Sequence, residues 1–412
     1  MTDFLEEPAR RLPVAGAYDV LVVGGGIAGV SAAVAAARRG AKVAILERQF
    51  ALGGLATLAN VCVFLPLCDG MGHQVVGGLA EELLKLSVKD VRRPDTLQYV
   101  KPPPECWRPG GDVTARANDR YDALFNPASL LLELEELARS SSVEIWYDTR
   151  FCGVLRWDDR ITAVIVENKS GRSAFRARFV VDATGDADVC AAAGEETQSL
   201  DTNVLSGWFY LFRGGRLEMR PHSRLYSHVA DRQGAQGPFF RGDDARQVTD
   251  HVLQTRRWLR EVLAEERAAA AGADVWPFQL ATLPAFRMTR RLVGSFTLNE
   301  RHDRAWIDDC VGMTGDWRKC GPVFCLPMRS LCAVRNANLL AAGRCISVDG
   351  TVWDSTRSIP ACAATGEAAG TIAAMACAGG DQDIRTMPPG PVQAQLRAQG
   401  VILDRSLMTR SG

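Results

Sequence analysis

Cysteine is sparse in this chain, with twelve among 412 residues. No C-x-x-C pair occurs, and the tightest group, Cys320, Cys325 and Cys332, has no histidine at zinc-ligand spacing. A disulfide scaffold and a bound metal are therefore not expected; buried, reduced thiols are. Excess charge is absent too: Lys+Arg and Asp+Glu both total 48, which argues against a nucleic-acid partner. No apolar run reaches the roughly 18 residues that a membrane span needs, so no membrane association is expected. The stretch Met1 to Ala17 mixes Glu6, Glu7, Arg10 and Arg11 with prolines and has no apolar core. It does not read as a secretory signal, and a cytoplasmic location is the expectation. Apolar residues at 47% and charged residues at 23% fit a globular protein of two or three domains.

Glycine, at 38, carries the argument through its placement. Tyr18-Asp-Val-Leu-Val-Val leads into Gly24-Gly-Gly26-Ile27-Ala28-Gly29, then an Ala-rich stretch, then a second apolar run, Lys42–Leu46, ending in Glu47. This is the strand–turn–helix–strand setting that the G-x-G-x-x-G fingerprint requires. Gly24 permits the turn, Gly26 lets a pyrophosphate approach, and Gly29 lets the helix pack on the strand. The helix N-terminus favours the anion. Glu47, 18 residues past Gly29, is placed to accept from ribose hydroxyls. Beyond it come Arg48 and the turn Gly53-Gly54-Leu55-Ala56-Thr57. A Gly-Gly turn after the ribose acid resembles the extended motif of glutathione-reductase-type flavoproteins, which favours FAD over NAD.

In the middle of the chain, Asn126-Pro127 reads as a capped helix start, with Leu130, Leu131, Leu134 and Leu137 on one face. Strand-like runs follow at Val143–Tyr147, Thr149–Arg156 and Ile161–Glu167, with Asp158-Asp159 as a hairpin turn. Phe179-Val-Val-Asp-Ala183-Thr184-Gly185-Asp186 resembles the second flavoprotein element, where a strand end returns to the cofactor. By the same resemblance the backbone near Phe151 meets the adenine. Residues 245–271 read as an amphipathic helix whose His251 is surface or half-buried. His222, His228 and His302 have no spacing that argues for a role. Residues 88–120, rich in Pro and Arg, read as an irregular insertion.

Near the C-terminus an apolar strand ends in Ala342-Gly343-Arg344-Cys345-Ile-Ser347, and a loop over 348–357 leads to Ser358-Ile359-Pro360 and a helix of small residues. Ser358 is a candidate cap, and Pro360 suits the first turn. Such a helix directs its positive end at the flavin edge that gains charge on reduction.

Together these motifs resemble the FAD-dependent oxidoreductase family, of glutathione-reductase type and related to fumarate-reductase flavoproteins. Phe286-Arg-Met-Thr-Arg-Arg-Leu-Val-Gly294 and Thr314-Gly-Asp-Trp-Arg318 are similar to members of the same subgroup. The resemblance implies an α/β fold: a Rossmann-like FAD-binding domain with an inserted α+β substrate domain. The expected division is an N-terminal tail (1–17), an FAD-binding domain (18–200 with 335–380), a substrate domain (201–334) and a C-terminal tail (381–412). The broader class has Gly-Asp where this chain has Gly343-Arg344. Arg344 cannot accept a ribityl hydroxyl, and phosphate or ribityl oxygens become its expected partners.

A flavin would carry the redox chemistry and the protein would choose the substrate. The substrate candidates are Arg287, Arg290, Arg291 and Arg357, whose forks grip carboxylates, and His73 as acid or base on a glycine-flanked loop. The arginines have a plainer alternative in pairing with acids, and Cys345 in packing. The preferred expectation is hydride transfer between flavin N5 and a small, polar or anionic substrate. A flavin monooxygenase and a non-enzymatic nucleotide-binding escort on the same fold are the alternatives, and assembly into a homo-oligomer is left open.

Overall fold

The structure is a computed structural model and describes residues 5, 7–90, 104–108, 110–116 and 119–409. In chain order its main elements begin with β1 (Val14–Val23), α1 (Ile27–Ala37), β2 (Val43–Leu46), α2 (Leu79–Ser87) and α3 (Pro127–Ser140). Next come β3 (Glu144–Trp146), β4 (Arg150–Trp157), β5 (Arg160–Asn168), β6 (Gly171–Asp182), β7 (Ser206–Arg213) and β8 (Arg216–Ser223). Then follow α4 (Ala245–Ala269), β9 (Val275–Leu280), β10 (Cys310–Gly315), β11 (Val323–Pro327) and β12 (Leu339–Ala341). The chain ends with α5 (Gly350–Thr356), α6 (Ile359–Ala378) and α7 (Pro389–Ala398).

The main sheet runs β3-β2-β1-β6-β5-β4, with β12 added beside the end of β6. Strands β3, β2, β1, β6 and β12 are parallel, so their C-terminal ends lie along one edge. The register sets Val20 beside both Val43 and Phe179, and Val20–Val23 are buried because helices or loops cover both faces. The hairpin β4–β5 continues the sheet antiparallel from the first half of β6. Asp158 adopts positive φ in its turn.

Helix α6 packs against α1, and two glycines explain how closely. A Cβ at Gly366 would stand 2.2 Å from the Ala28 carbonyl oxygen, and one at Gly370 2.0 Å from that of Ala32. Four residues apart, they share a helix face, and either substitution would force the two helices apart at a cost of about 1–3 kcal/mol. α6 is the one helix among the described residues long and apolar enough to cross a membrane, and 89% of its apolar window is buried within the protein. A second, three-stranded antiparallel sheet is formed by β8-β7-β9. Its Phe209 and Leu211 pack on Leu259 and Leu263 of α4, whereas Tyr210 belongs to the main core.

Several local expectations differ from what forms. Residues 14–17 extend β1 and pair with β6, with Ala174 N–H donating to the Pro13 carbonyl, so they are no tail. Residues 348–357 form α5, capped by Asp349 at Gly350 N–H (2.8 Å). Residues 381–409 include α7, and Ile384, Val392, Leu396 and Leu403 are buried in the main core; an apolar set at helical spacing there finds a partner in α6. Within 88–120 the described part is tied down: Arg116 is buried, pairs with Glu81 and lies over Trp107. The remaining positions, 91–103, 109, 117 and 118, lie outside the described residues. His251 is fully buried, its Nε2 3.0 Å from the Val204 carbonyl, because α4 turns that face onto Phe240 and Phe286.

Candidate active site

A crevice of about 490 Å³ opens where the ends of β1, β2, β6 and β12 meet, the place where ligands bind in open parallel sheets. Gly24, Gly26, Ile27 and Ala28 line it from the first turn, Glu47 and Arg48 from the second strand, and Gly53, Gly54, Leu55 and Ala56 from the following turn. Ala183, Thr184, Gly185 and Asp186 come from the turn that follows β6, Phe151 from β4, and Gly343, Arg344, Arg357 and Ile359 from the C-terminal return.

The glycines of the first turn separate into two kinds. At Gly24 (φ +103°) a Cβ would lie 2.4 Å from the Ala183 carbonyl oxygen, and at Gly29 one would lie 1.9 Å from that of Gly24. Strand and helix packing accounts for both. At Gly26 a Cβ would meet no atom of the other described residues within 4 Å. It faces only the crevice, and helix α1 begins there without a side-chain cap. Open N–H groups beside a bare glycine suit a diphosphate. Glu47 Oε2 accepts from Gly25 N–H at 2.7 Å and Oε1 from Gln49 N–H at 2.8 Å, which locks the carboxylate at the crevice wall with lone pairs to spare.

A family described as FAD dependent oxidoreductase matches residues 19–202 and 215–396. The chain belongs to that family. FAD is that family's cofactor, and the crevice residues fit it at its diphosphate and ribose ends. Aklavinone 12-hydroxylase DnrF of Streptomyces peucetius subsp. caesius is 29% identical over 188 residues, 40% of this chain and 35% of that protein. Thioredoxin reductase of Ureaplasma parvum is 38% identical over 71 residues, 17% of this chain and 23% of that one. The matched regions therefore span about a third or less of these relatives. Among solved structures, the flavin-dependent monooxygenase PieE overlaps 89% of this chain and 59% of its own, with 13% identity and a TM-score of 0.46. A geranylgeranyl bacteriochlorophyll reductase-like protein of Thermoplasma acidophilum overlaps 93% and 83%, with 13% identity and a TM-score of 0.43.

Some expected site residues of this flavoprotein have other duties. Gly29 serves packing, as above. Thr57 is buried and donates to the Leu52 carbonyl at 2.6 Å, closing the Gly-Gly turn. Ser358 caps α6, its Oγ accepting from Ala361 N–H at 3.4 Å, and Ile359 and Cys362 of that first turn reach the crevice wall. Arg344 Nη1 donates to the carbonyls of Phe286 (2.8 Å) and Arg287 (3.3 Å), with Nη2 3.7 Å from Asp186 Oδ1. The guanidinium thus ties the β12 end to the 286–287 segment instead of standing free for phosphate. Burial raises the Asp186 carboxyl above its ordinary value.

Of the substrate and acid–base candidates, Arg287 and Arg357 line the crevice. His73 lies outside its walls, with Nδ1 3.2 Å from Asp69, which also holds Arg304. Arg290 is spent on Asp188 and the Asp186 carbonyl. Arg291 is buried, bonded to Gln198 and the Leu292 carbonyl and set over Trp353. These two follow the alternative of internal pairing, because the short strand that carries them pairs with Thr197–Ser199 rather than facing the crevice.

The structure adds a group that spacing alone did not mark. Tyr226 and Trp317 line the crevice with Arg287 and Arg357. Arg287 lies 4.1 Å over the Tyr226 ring, and Arg357 donates to the Tyr226 hydroxyl at 3.2 Å. Asp354, fully buried, bonds Arg357 and takes the His228 Nδ1 contact at 2.7 Å. Trp317 Nε1–H donates to the Asp354 carbonyl at 3.1 Å. These residues come from segments nearly 130 positions apart. The sequence had marked Arg287, Arg357 and the Thr314–Arg318 stretch one by one, and the spacing of Asp354 three residues before Arg357 hinted at their pairing; Tyr226 and His228 carried no signal.

Proposed function

We propose that this flavoprotein moves a hydride between flavin N5 and a carbon of a small substrate whose anionic group is held by Arg287. The observation behind this reading is that Arg287 stands in the crevice wall with no carboxylate within ion-pair distance among the described residues. Its contacts are the Ser223 hydroxyl at 3.0 Å and the Tyr226 face. Lost hydration and the neighbouring Arg357 lower its guanidinium to about 10, still charged at neutral pH. A cation so placed gains from an incoming carboxylate or phosphate. Arg357 differs, because Asp354 already neutralises it. FAD, when bound, accepts or returns two electrons as hydride; the chain's part is to hold the anion and set the reacting carbon beside the ring.

Anaerobic mixing with panels of hydroxy acids, amino acids and their neutral esters tests the reading. Bleaching of the flavin by an acid, and much weaker bleaching by its ester, supports it. Equal bleaching by both, or by neutral compounds alone, overturns it. Oxygen insertion is the second reading, favoured by the match to a hydroxylase. NAD(P)H-dependent incorporation of labelled dioxygen into a product would select it.

A further inference from the structure

We propose that His228 is the acid–base residue of the reaction and that Asp354 positions it. This rests on the substrate reading above. The His228 ring lies 4.6 Å from Tyr226 and 5.9 Å from Trp317, two residues of the crevice wall. Its Nδ1 is 2.7 Å from Asp354 Oδ2, while the side chain keeps 44% of its exposure. No protein partner is found for Nε2 among the described residues. Asp354 is fully buried and fixed by three other groups: Arg357, Arg318 at 3.6 Å, and the Trp317 indole at its carbonyl. Such a carboxylate holds the Nδ1–H tautomer, which leaves the Nε2 lone pair toward an incoming proton.

Charged groups beside the His228–Asp354 pair come from three other segments, and on the His228 segment itself Asp231 is bonded to Ser227. From α5 and its end come Asp354 and Arg357; from the 316–318 segment come Arg318 and Asp316, which pair with each other. From the Arg287 segment, the guanidinium stacks on the far partner of His228, Tyr226. Arg357 and Arg318 pair with Asp354 and fix its carboxylate against the His228 ring.

The step balances for a secondary alcohol next to the anchored anion. The O–H bond breaks and its proton passes to His228 Nε2. The neighbouring C–H bond breaks and its electron pair leaves as hydride for FAD, the oxidant. The C=O double bond forms. In the reverse direction protonated His228 supplies the proton.

His228→Gln tests the assignment, because an exposed ring can be replaced without opening the core. The variant is expected to retain FAD and its melting temperature. Dithionite should reduce it as it does wild type, while flavin reduction by the hydroxy acid slows 10²–10⁴-fold and loses its pH dependence. Added imidazole should restore part of the rate. A slowing of less than threefold, or an unchanged pH profile, overturns the proposal. A second measurement needs no substrate: nitrogen-15 NMR of the His228 ring should show Nδ1 protonated and Nε2 as the acceptor at neutral pH, with that preference lost in Asp354→Asn. An Nε2–H ring in wild type overturns the proposal by itself. Failure of every acid to bleach the wild-type flavin counts instead against the substrate reading, and the NMR result still decides the dyad.

Discussion

Gly26→Ala and Gly29→Ala should behave as opposites. Gly26 adopts φ −67° and ψ 179°, extended backbone open to any residue, and its new methyl would touch no atom of the other described residues within 4 Å. Alanine there lowers unfolded-chain entropy, worth about 0.4–1 kcal/mol. It is also a poorer helix cap than glycine, by up to about 1 kcal/mol. The apoprotein should therefore melt within a few degrees of wild type. The methyl instead occupies the surface offered to the diphosphate. An overpacking cost of about 1–3 kcal/mol translates to a roughly 5- to 140-fold weaker Kd for FAD. At Gly29 the methyl would stand 1.9 Å from the Gly24 oxygen, about 1.5 Å short of the 3.4 Å at which ordinary contact begins. That variant should lose apoprotein stability and FAD together. Titrating apoprotein with FAD by fluorescence quenching, beside thermal melts without FAD, reads both quantities. Wild-type FAD affinity in Gly26→Ala, or equal loss of apo stability in the two variants, would refute the division of labour drawn from the turn.

Arg287→Met should raise KM for an acidic substrate roughly ten- to a hundredfold, the worth of a charge-assisted hydrogen bond, and leave a neutral ester unaffected; steady-state kinetics on both substrates checks this. Glu367, buried on α6 and accepting from Leu79 N–H at 2.7 Å, is raised by burial to about 7. Between pH 4.5 and 7 the folded carboxyl keeps a proton that the unfolded chain releases, so stability falls as pH rises, by about 3 kcal/mol over the window. Glu367→Gln keeps the acceptor and should melt higher than wild type at pH 8 but not at pH 4. His222 and His251 are lowered by burial to about 4. From pH 6.5 down to 4 the unfolded chain binds protons that the fold refuses, so stability falls as pH falls. His251→Gln should flatten that acid limb of the melting curve, and an unchanged limb would place the effect elsewhere.

The first nucleotide-binding unit was legible residue by residue. Its signals are local: a β-branched run, a glycine turn and an Ala-rich helix each dictate their backbone within ten residues, and Glu47 follows from the length of one crossover. The caps at Asn126 and Ser358 formed for the same reason, a side-chain oxygen meeting N–H groups two or three residues on. Helices α5 and α7 were missed. One is only seven residues, about two capped turns, and the other owes its stability to burial against α6, which no window of its own sequence contains. Among the arginines the sequence could name cations but not their partners. Arg290 met Asp188 and the Asp186 carbonyl, and Arg291 met Gln198 and the neighbouring Leu292 carbonyl, while Arg287, three residues earlier, was left facing the crevice.

What the sequence determined by itself was the cofactor-binding frame, because turns, caps and hydrophobic periodicity act over a few residues and need no distant partner. What only the tertiary structure decided was the chemistry on the open side of that frame. Tyr226, His228, Arg287, Trp317 and Asp354 meet there because four separate segments of the chain, α5 among them, pack together beside the crevice. Proximity between residues a hundred positions apart is a property of packing, not of spacing along the chain.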